Sequence, residues 1–217
     1  MSLELGTTAI FFAILLGVPI GIVSAVRQDT ARDYVSRGGA ILGLSIPGFW
    51  LGTLAVVLPA IYFKWSPSIQ FTKLTDDPWG HVAQFILPGL LLGIGSAASI
   101  MRLTRTQLLE VLRQDYVRTA WSKGMGERMV VLKHGLKNSL IPVVTVLGIQ
   151  IAQVLSGTVI FESIFGLPGM GRSLFTAITE RDYPVIQGIN LVVVSTVIAV
   201  NLVVDFVYAY LDPRIRF

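Results

Sequence analysis

The stretch LGTTAIFFAILLGVPIGIVSAV, residues 5–26, holds no charged residue. An α-helix rises about 1.5 Å per residue, so about 20 residues cross a hydrocarbon core about 30 Å thick. Residues 38–63, 139–161 and 183–204 are also uncharged, and 78–101 is uncharged apart from His81, with its apolar part starting near Val82. Five membrane helices are expected, over about 5–26, 38–63, 82–101, 139–161 and 184–204. They make an all-α integral membrane protein of one domain, 1–217. Composition agrees: 53% of the 217 residues are hydrophobic, 14% are charged and the mean hydropathy is +0.70. A soluble domain carries about 25% charged residues.

Basic residues set the expected orientation, because Lys and Arg accumulate in cytoplasmic loops. Arg27, Arg32 and Arg37 lie in 27–37, eight more basic residues lie in 102–138, and Arg214 and Arg216 lie in the tail. These account for thirteen of the seventeen, leaving Lys64, Lys73, Arg172 and Arg181 on the other two loops. The 27–37 loop, the 102–138 loop and the C-terminus are expected in the cytoplasm and the N-terminus outside. Residues 1–26 make a poor signal peptide, since Glu4 replaces a basic n-region and the apolar run is long. A further helix upstream in the natural protein is expected. The net charge of +4 follows from this topology, so no nucleic-acid partner is inferred. Without cysteine there is no disulfide or thiolate metal site, and His81 and His134 have no ligand spacing.

Glycine and proline punctuate the apolar runs. Gly17/Gly21, Gly48/Gly52 and Gly89/Gly93 have GxxxG spacing, which reads first as close helix packing and second as a dimer seam. Gly169 and Gly171 read as a tight outside turn. Trp65 and Trp79 flank an outside loop, where tryptophan favours the water–lipid boundary.

The 102–138 segment is too long for a simple turn and too patterned for disorder. Leu108, Leu109, Leu112, Tyr116, Val117 and Ala120 recur at helical spacing, with Glu110, Arg113, Asp115 and Arg118 between them. An amphipathic helix is expected to continue from the third membrane helix and to break at Gly124-Met125-Gly126. A second short helix should follow over about Glu127–Lys137, with Pro142 opening the fourth membrane helix. Such a bent arm, 108–137, serves either as a lever for a partner or as an interfacial anchor on anionic lipid.

Two sequences, DYVRTAWSKG (115–124) and VLKHGLKNSLIP (131–142), resemble the conserved cytoplasmic loop of binding-protein-dependent ABC importer permeases. Ala120, Gly124, Leu140 and Pro142 occupy the family's positions, while Arg118 and Thr119 stand at the usual acidic and first alanine places. FESIFGLPGMGR (161–172), RDYP (181–184) and Asp205 through Arg216 are similar to the dipeptide, oligopeptide and nickel branch. The resemblance covers essentially the whole chain and implies a type I importer permease bundle with a cytoplasmic coupling helix. It places the ATPase contact on Tyr116, Val117, Arg118, Thr119, Ala120, Lys123, Gly124, Met125 and Gly126. It also implies separate ABC ATPase subunits, a second homologous permease, an extracytoplasmic substrate-binding protein, a peptide substrate and a bacterial inner-membrane location. The family commonly has a further N-terminal membrane helix.

No GxxxxGK[ST] phosphate loop occurs, so the chain is expected to be no enzyme and to bind no cofactor, with ATP used by a partner subunit. Gln150, Gln153, Ser156 and Asn190 are candidate translocation-pathway residues; interhelical hydrogen bonding is the competing reading. A nickel or other small-solute permease is an alternative within the class. A stand-alone channel or secondary transporter is the rival from another class, although no selectivity ring or paired midplane carboxylate is evident. An intramembrane enzyme would need a constellation that this sequence does not offer.

Overall fold

Glycines set the spacing of the two helices at the centre of the bundle, α1 (Ser2–Val26) and α4 (Pro78–Leu112). A Cβ at Gly17 would lie 2.7 Å from the Ala97 carbonyl oxygen, and one at Gly21 the same distance from that of Met101. From the other side, a Cβ at Gly89 would lie 2.6 Å from Thr8, and one at Gly93 would lie 2.5 Å from the Ala9 carbonyl oxygen. The GxxxG pairs of α1 and α4 therefore pack on one another's helix. In lipid, apolar surface gains little by leaving the solvent, so such close approach is a main source of association. The rising pairs 8/89, 9/93, 17/97 and 21/101 make the two helices parallel.

This computed structural model describes residues 1–67 and 71–211, and within them the side chains of all but residues 152, 155, 156, 205 and 207–211. Beyond α1 and α4 its helices are α2 (Ala31–Ser45), α3 (Gly48–Phe63), α5 (Asp115–Ser122), α6 (Glu127–Met129), α7 (Lys137–Phe165), α8 (Met170–Glu180) and α9 (Tyr183–Leu211). A π-helical segment, Val130–Leu136, joins α6 to α7. Among the described residues, four helices are long and apolar enough to cross a membrane, or five spans if the bent pair α2–α3 counts as one.

That pair departs from the single helix expected over 38–63. α2 begins earlier, at Ala31, and meets α3 at 90°. Proline explains the break: Pro47 has no N–H, and its ring pushes Ile46 out of the helical region, to φ −92° and ψ 122°. Ile46 N–H closes α2 on the Leu42 carbonyl, and the Pro47 carbonyl accepts from Trp50 and Leu51 to open α3.

α7 runs antiparallel to α1 and α4. One end of the bundle packs Leu5, Phe85, Phe161, Phe165 and Leu167; the middle packs Ala13, Ala97, Ile100 and Val143; the other end packs Ala25, Leu108 and Val131. At the first end, His81 Nδ1 lies 2.8 Å from the Thr72 carbonyl oxygen, and Gln84 donates to the same atom, which ties the preceding loop onto α4. The expected turn at Gly169–Gly171 is instead the start of α8. Buried Glu162 accepts there from the Arg172 amide at 2.9 Å and from the Ser2 hydroxyl, while Ser2 Oγ accepts from the Met170 amide. A carboxylate suits the positive end of a helix dipole, and a Cβ at Gly169 would fall onto that carboxylate.

Candidate coupling arm and membrane cavity

α4 runs on past its apolar part to Leu112, and Gln114 then turns the chain with an extended backbone into α5. Val117 and Ala120 are buried against Val130, with Val111, Leu112 and Met125 around them. α5 ends in a Schellman motif. The Met125 amide reaches back to the Ala120 carbonyl, the Gly124 amide donates to the Trp121 carbonyl, and Gly124 takes the left-handed φ of +75° that this stop requires. The Tyr116 hydroxyl donates to the His134 carbonyl at 3.3 Å and accepts from Asn138 at 2.9 Å. Its side chain thus ties α5 to the start of α7.

The nine predicted arm residues divide by what they touch. Val117, Ala120 and Met125 hold the arm to its own chain, and Tyr116 tethers it. Arg118 and Thr119 are exposed, and among the described residues their side chains bond only to Asp115. Lys123 is exposed and makes no ion pair among the described residues, and a Cβ at Gly124 or Gly126 would meet nothing within 4 Å. Trp121 is half-exposed beside them. The outward surface is a free knob of Trp121, Lys123 and Gly124 on a seated helix.

The second limb of the arm differs from expectation. No separate helix stops at Lys137: from Glu127 the chain stays helical through the π-helical segment into α7, and Pro142 lies inside α7. Gly135 lets this segment press on Leu108 and Leu112 of α4, where a Cβ would stand 3.0 and 3.2 Å away. The arm is therefore packed against α4 and continuous with α7.

Sequence reasoning missed a clamp beside this arm. Asp33 at the start of α2 is fully buried, and Arg105 of α4 grips it with Nε and Nη2, each at 2.8 Å. The Ser24 hydroxyl and the Asp29 amide complete its coordination. A bidentate, fully hydrogen-bonded pair is the form in which a buried ion pair is tolerated. The available signal was the two carboxylates Asp29 and Asp33 among the arginines of 27–37, with Arg105 two spans later.

The pathway candidates do not all meet. Gln150 and Gln153 line a cavity of about 460 Å³ at the α2–α3 break, with Ser96, Ser99, Pro47 and Gly157. Asn190 lines a separate cavity of about 240 Å³ between α7, α8 and α9, beside Thr158 and Thr196. The side chain of Ser156 lies outside the described residues. Gln150 is 7% exposed, and its Oε1 has no hydrogen-bond partner among the described residues. The interhelical hydrogen bond weighed for it is thus not made by that atom.

The profile of the family described as "Binding-protein-dependent transport system inner membrane component" matches residues 17–217. The chain belongs to this family. It is therefore a multi-pass membrane permease of a transport system. Among its relatives, the dipeptide transport system permease protein DppB of Alkalihalophilus pseudofirmus is 43% identical over 236 residues, covering all of this chain and 71% of the relative. DppB of Escherichia coli K12 is 39% identical, covering 99% of this chain and 70% of its own length, and DppB of Bacillus subtilis is 40% identical, covering 100% and 68%. The permease fold is shared with inward-facing structures of the MetNI methionine ABC transporter, at TM-score 0.75 and 16% identity over 97% of this chain and 93% of that one. It is shared as well with an amino acid ABC transporter solved with histidines, at TM-score 0.67 and 15% identity over 97% and 90%.

Proposed function

We propose that this permease forms part of the translocation pathway for di- and oligopeptides, and that its arm takes force from a separate ABC ATPase subunit. The observation that carries the mechanical half is the seated α5 helix with its unpartnered Trp121–Lys123–Gly124 knob. Its apolar face is fixed, its outer face is free, and both its flanks continue into membrane helices. ATP binding would close two partner ATPase subunits, and the arm would transmit that closure to α4 and α7. The chain itself hydrolyses nothing and binds no cofactor, in keeping with a sequence that offers no phosphate loop.

The peptide half is supported by relatives named as dipeptide permeases, 39–43% identical across essentially the whole chain. An uncharged cavity, mostly apolar with the side chains of Ser96, Ser99, Gln150 and Gln153 among its lining, suits a cargo with a constant backbone and variable side chains. An extracytoplasmic binding protein would deliver the peptide to the end that bears α8. A second, homologous permease would complete the pathway. α9 leaves an apolar surface for that subunit or for lipid, since none of its most hydrophobic eighteen-residue stretch is buried. The inner membrane is the corresponding location.

Gly124→Trp tests the coupling. The free space around Gly124 means that the indole strikes nothing in this chain, and the left-handed backbone adds a cost of about 1 kcal/mol. Insertion should be normal. Peptide uptake by the assembled transporter should fall at least about tenfold, with the ATPase either undocked or turning over without uptake. Wild-type uptake and wild-type ATPase binding in this variant would refute the assignment.

A further inference from the structure

His81 ends the first turn of α4 and is buried at the end of the bundle that bears α8, with Phe71 and Phe85 packed edge-to-face on its ring. Both ring nitrogens face oxygen. Nδ1 lies 2.8 Å from the Thr72 carbonyl oxygen of the preceding loop, and Nε2 lies 3.5 Å from Glu4 Oε1 of α1. A carbonyl and a carboxylate only accept, while a neutral imidazole carries a single N–H. Both contacts are therefore satisfied together only when the ring holds two protons. With one proton the ring serves either α1 or the loop, and it turns a lone pair on the other oxygen. A charged acceptor makes a hydrogen bond roughly twice as strong, so the neutral ring keeps Glu4 and lets go of Thr72. Gln84 is placed to favour that exchange: its Nε2, which donates to the Thr72 carbonyl at 2.9 Å, is also 3.3 Å from His81 Nδ1 and can donate to the lone pair there instead. The charged groups nearby are otherwise engaged or exposed. The second Glu4 oxygen meets the Met1 amino group at 3.0 Å, and Glu162 of α7 accepts from Ser2 and the Arg172 amide. Lys73, Asp76 and Asp77 of the loop are exposed, and no further ion pair reaches His81 or Glu4 among the described residues.

We propose that His81 is a proton-operated latch: with two ring protons it ties α1, α4 and residues 71–77 together, and on losing one it releases the loop. Histidine is the side chain that makes this exchange between about pH 5 and pH 8. Glu4 is half-exposed, which opens the pair to the solution at that end of the bundle. The direction follows from the proton count. The fastened state holds one proton more, so acid fastens the loop and rising pH frees it. This is the end to which an extracytoplasmic binding protein would deliver cargo, so the latch would make delivery respond to pH outside the membrane. That consequence rests on the importer reading above; the latch itself does not.

The test reads the loop directly, in the transporter assembled with its partner subunits in vesicles. The sequence has no cysteine, so Lys73→Cys gives the permease a single site for a nitroxide label, added before the subunits are combined, and the Lys73 side chain is exposed. The ratio of mobile to immobile label should rise at least about tenfold from pH 5 to pH 8, the effect of one hydrogen bond involving a charged group. Glu4→Gln removes the conflict, because its amide accepts from the doubly protonated ring and donates to the Nε2 lone pair of the neutral one. In that variant the loop should stay fastened at both pH values. His81→Phe should leave it loose at both. A histidine that merely fills space would leave the pH profile of Glu4→Gln the same as that of the wild type. An unchanged ratio between pH 5 and pH 8 with native His81 and Glu4 overturns the latch. So does a Glu4→Gln variant that keeps the wild-type profile, even if His81→Phe fails to assemble. Peptide uptake enters none of these readings, so the peptide reading stands or falls separately.

Discussion

Gly93 shows how little room single residues leave in this bundle. Its missing Cβ is the space through which the Ala9 carbonyl approaches to 2.5 Å of that position, and a backbone atom cannot rotate aside as a side-chain tip can. Gly93→Leu should therefore cost about 3 kcal/mol or more by overpacking, read as a lower midpoint of thermal unfolding in detergent. Gly38→Leu, where a Cβ would meet nothing within 4 Å, should leave the midpoint nearly unchanged; equal losses would refute the packing argument. The spacing of Gly89 and Gly93 was visible in the sequence, but its partner was not, because a pair of small residues says that something comes close and not what. Gly124 was more legible: a glycine ending an amphipathic pattern points to a left-handed helix stop, and the structure forms one. Glu162 was opaque, since its burial depends on α8, a helix whose start the sequence reading took for a turn.

The elements differ in how far the sequence disclosed them. α1, α4 and α9 were readable because a charge-free run of bilayer length has few alternatives in water or lipid. The α2–α3 break was not, although Pro47 stood in plain view. Proline is tolerated inside many membrane helices when neighbours satisfy the freed groups; Pro19, Pro59 and Pro88 are so tolerated here. Only the tertiary surroundings decide which proline bends its helix. The start of α7 was hidden for the converse reason, since Pro142 reads as an opening residue and lies instead within a helix begun upstream. The Asp33–Arg105 clamp needs three elements at once, with Ser24 on α1, Asp33 on α2 and Arg105 on α4. Removing one partner strands a buried charge, so Asp33→Leu or Arg105→Met alone should destabilise by about 3–5 kcal/mol. The double variant should recover most of that loss, because no charge is left unpaired. Denaturant titration of the three variants in detergent checks this; strictly additive losses would show that the pair acts through something other than its charge.

Across the whole molecule, helix directions and charge bias support each other. α1 and α4 are parallel, so the chain returns across the membrane between them through the bent α2–α3 pair, and α7 returns antiparallel. Gly148 of α7 packs on Val204 of α9, while Thr158 shares a cavity with Asn190, so α9 reverses once more. These directions gather the 27–37 segment, the arm and the last turns of α9 at one end, with residues 71–77 and α8 at the other. The basic residues concentrate at the first end, and the positive-inside rule then predicts that the arm is cytoplasmic. The absence of cysteine from the sequence makes a clean test possible. Lys73→Cys should react with a membrane-impermeant maleimide added from outside the inner membrane, and Lys123→Cys only in inverted vesicles. Both lysines are exposed and unpaired among the described residues, so neither change should disturb the fold. Adding the ATPase subunit to inverted vesicles should then slow labelling at position 123, because the knob would lie beneath it. Labelling of position 123 from outside would invert the topology and remove the arm from reach of any cytoplasmic motor, whereas inside labelling without protection would leave the topology standing and disprove the docking site.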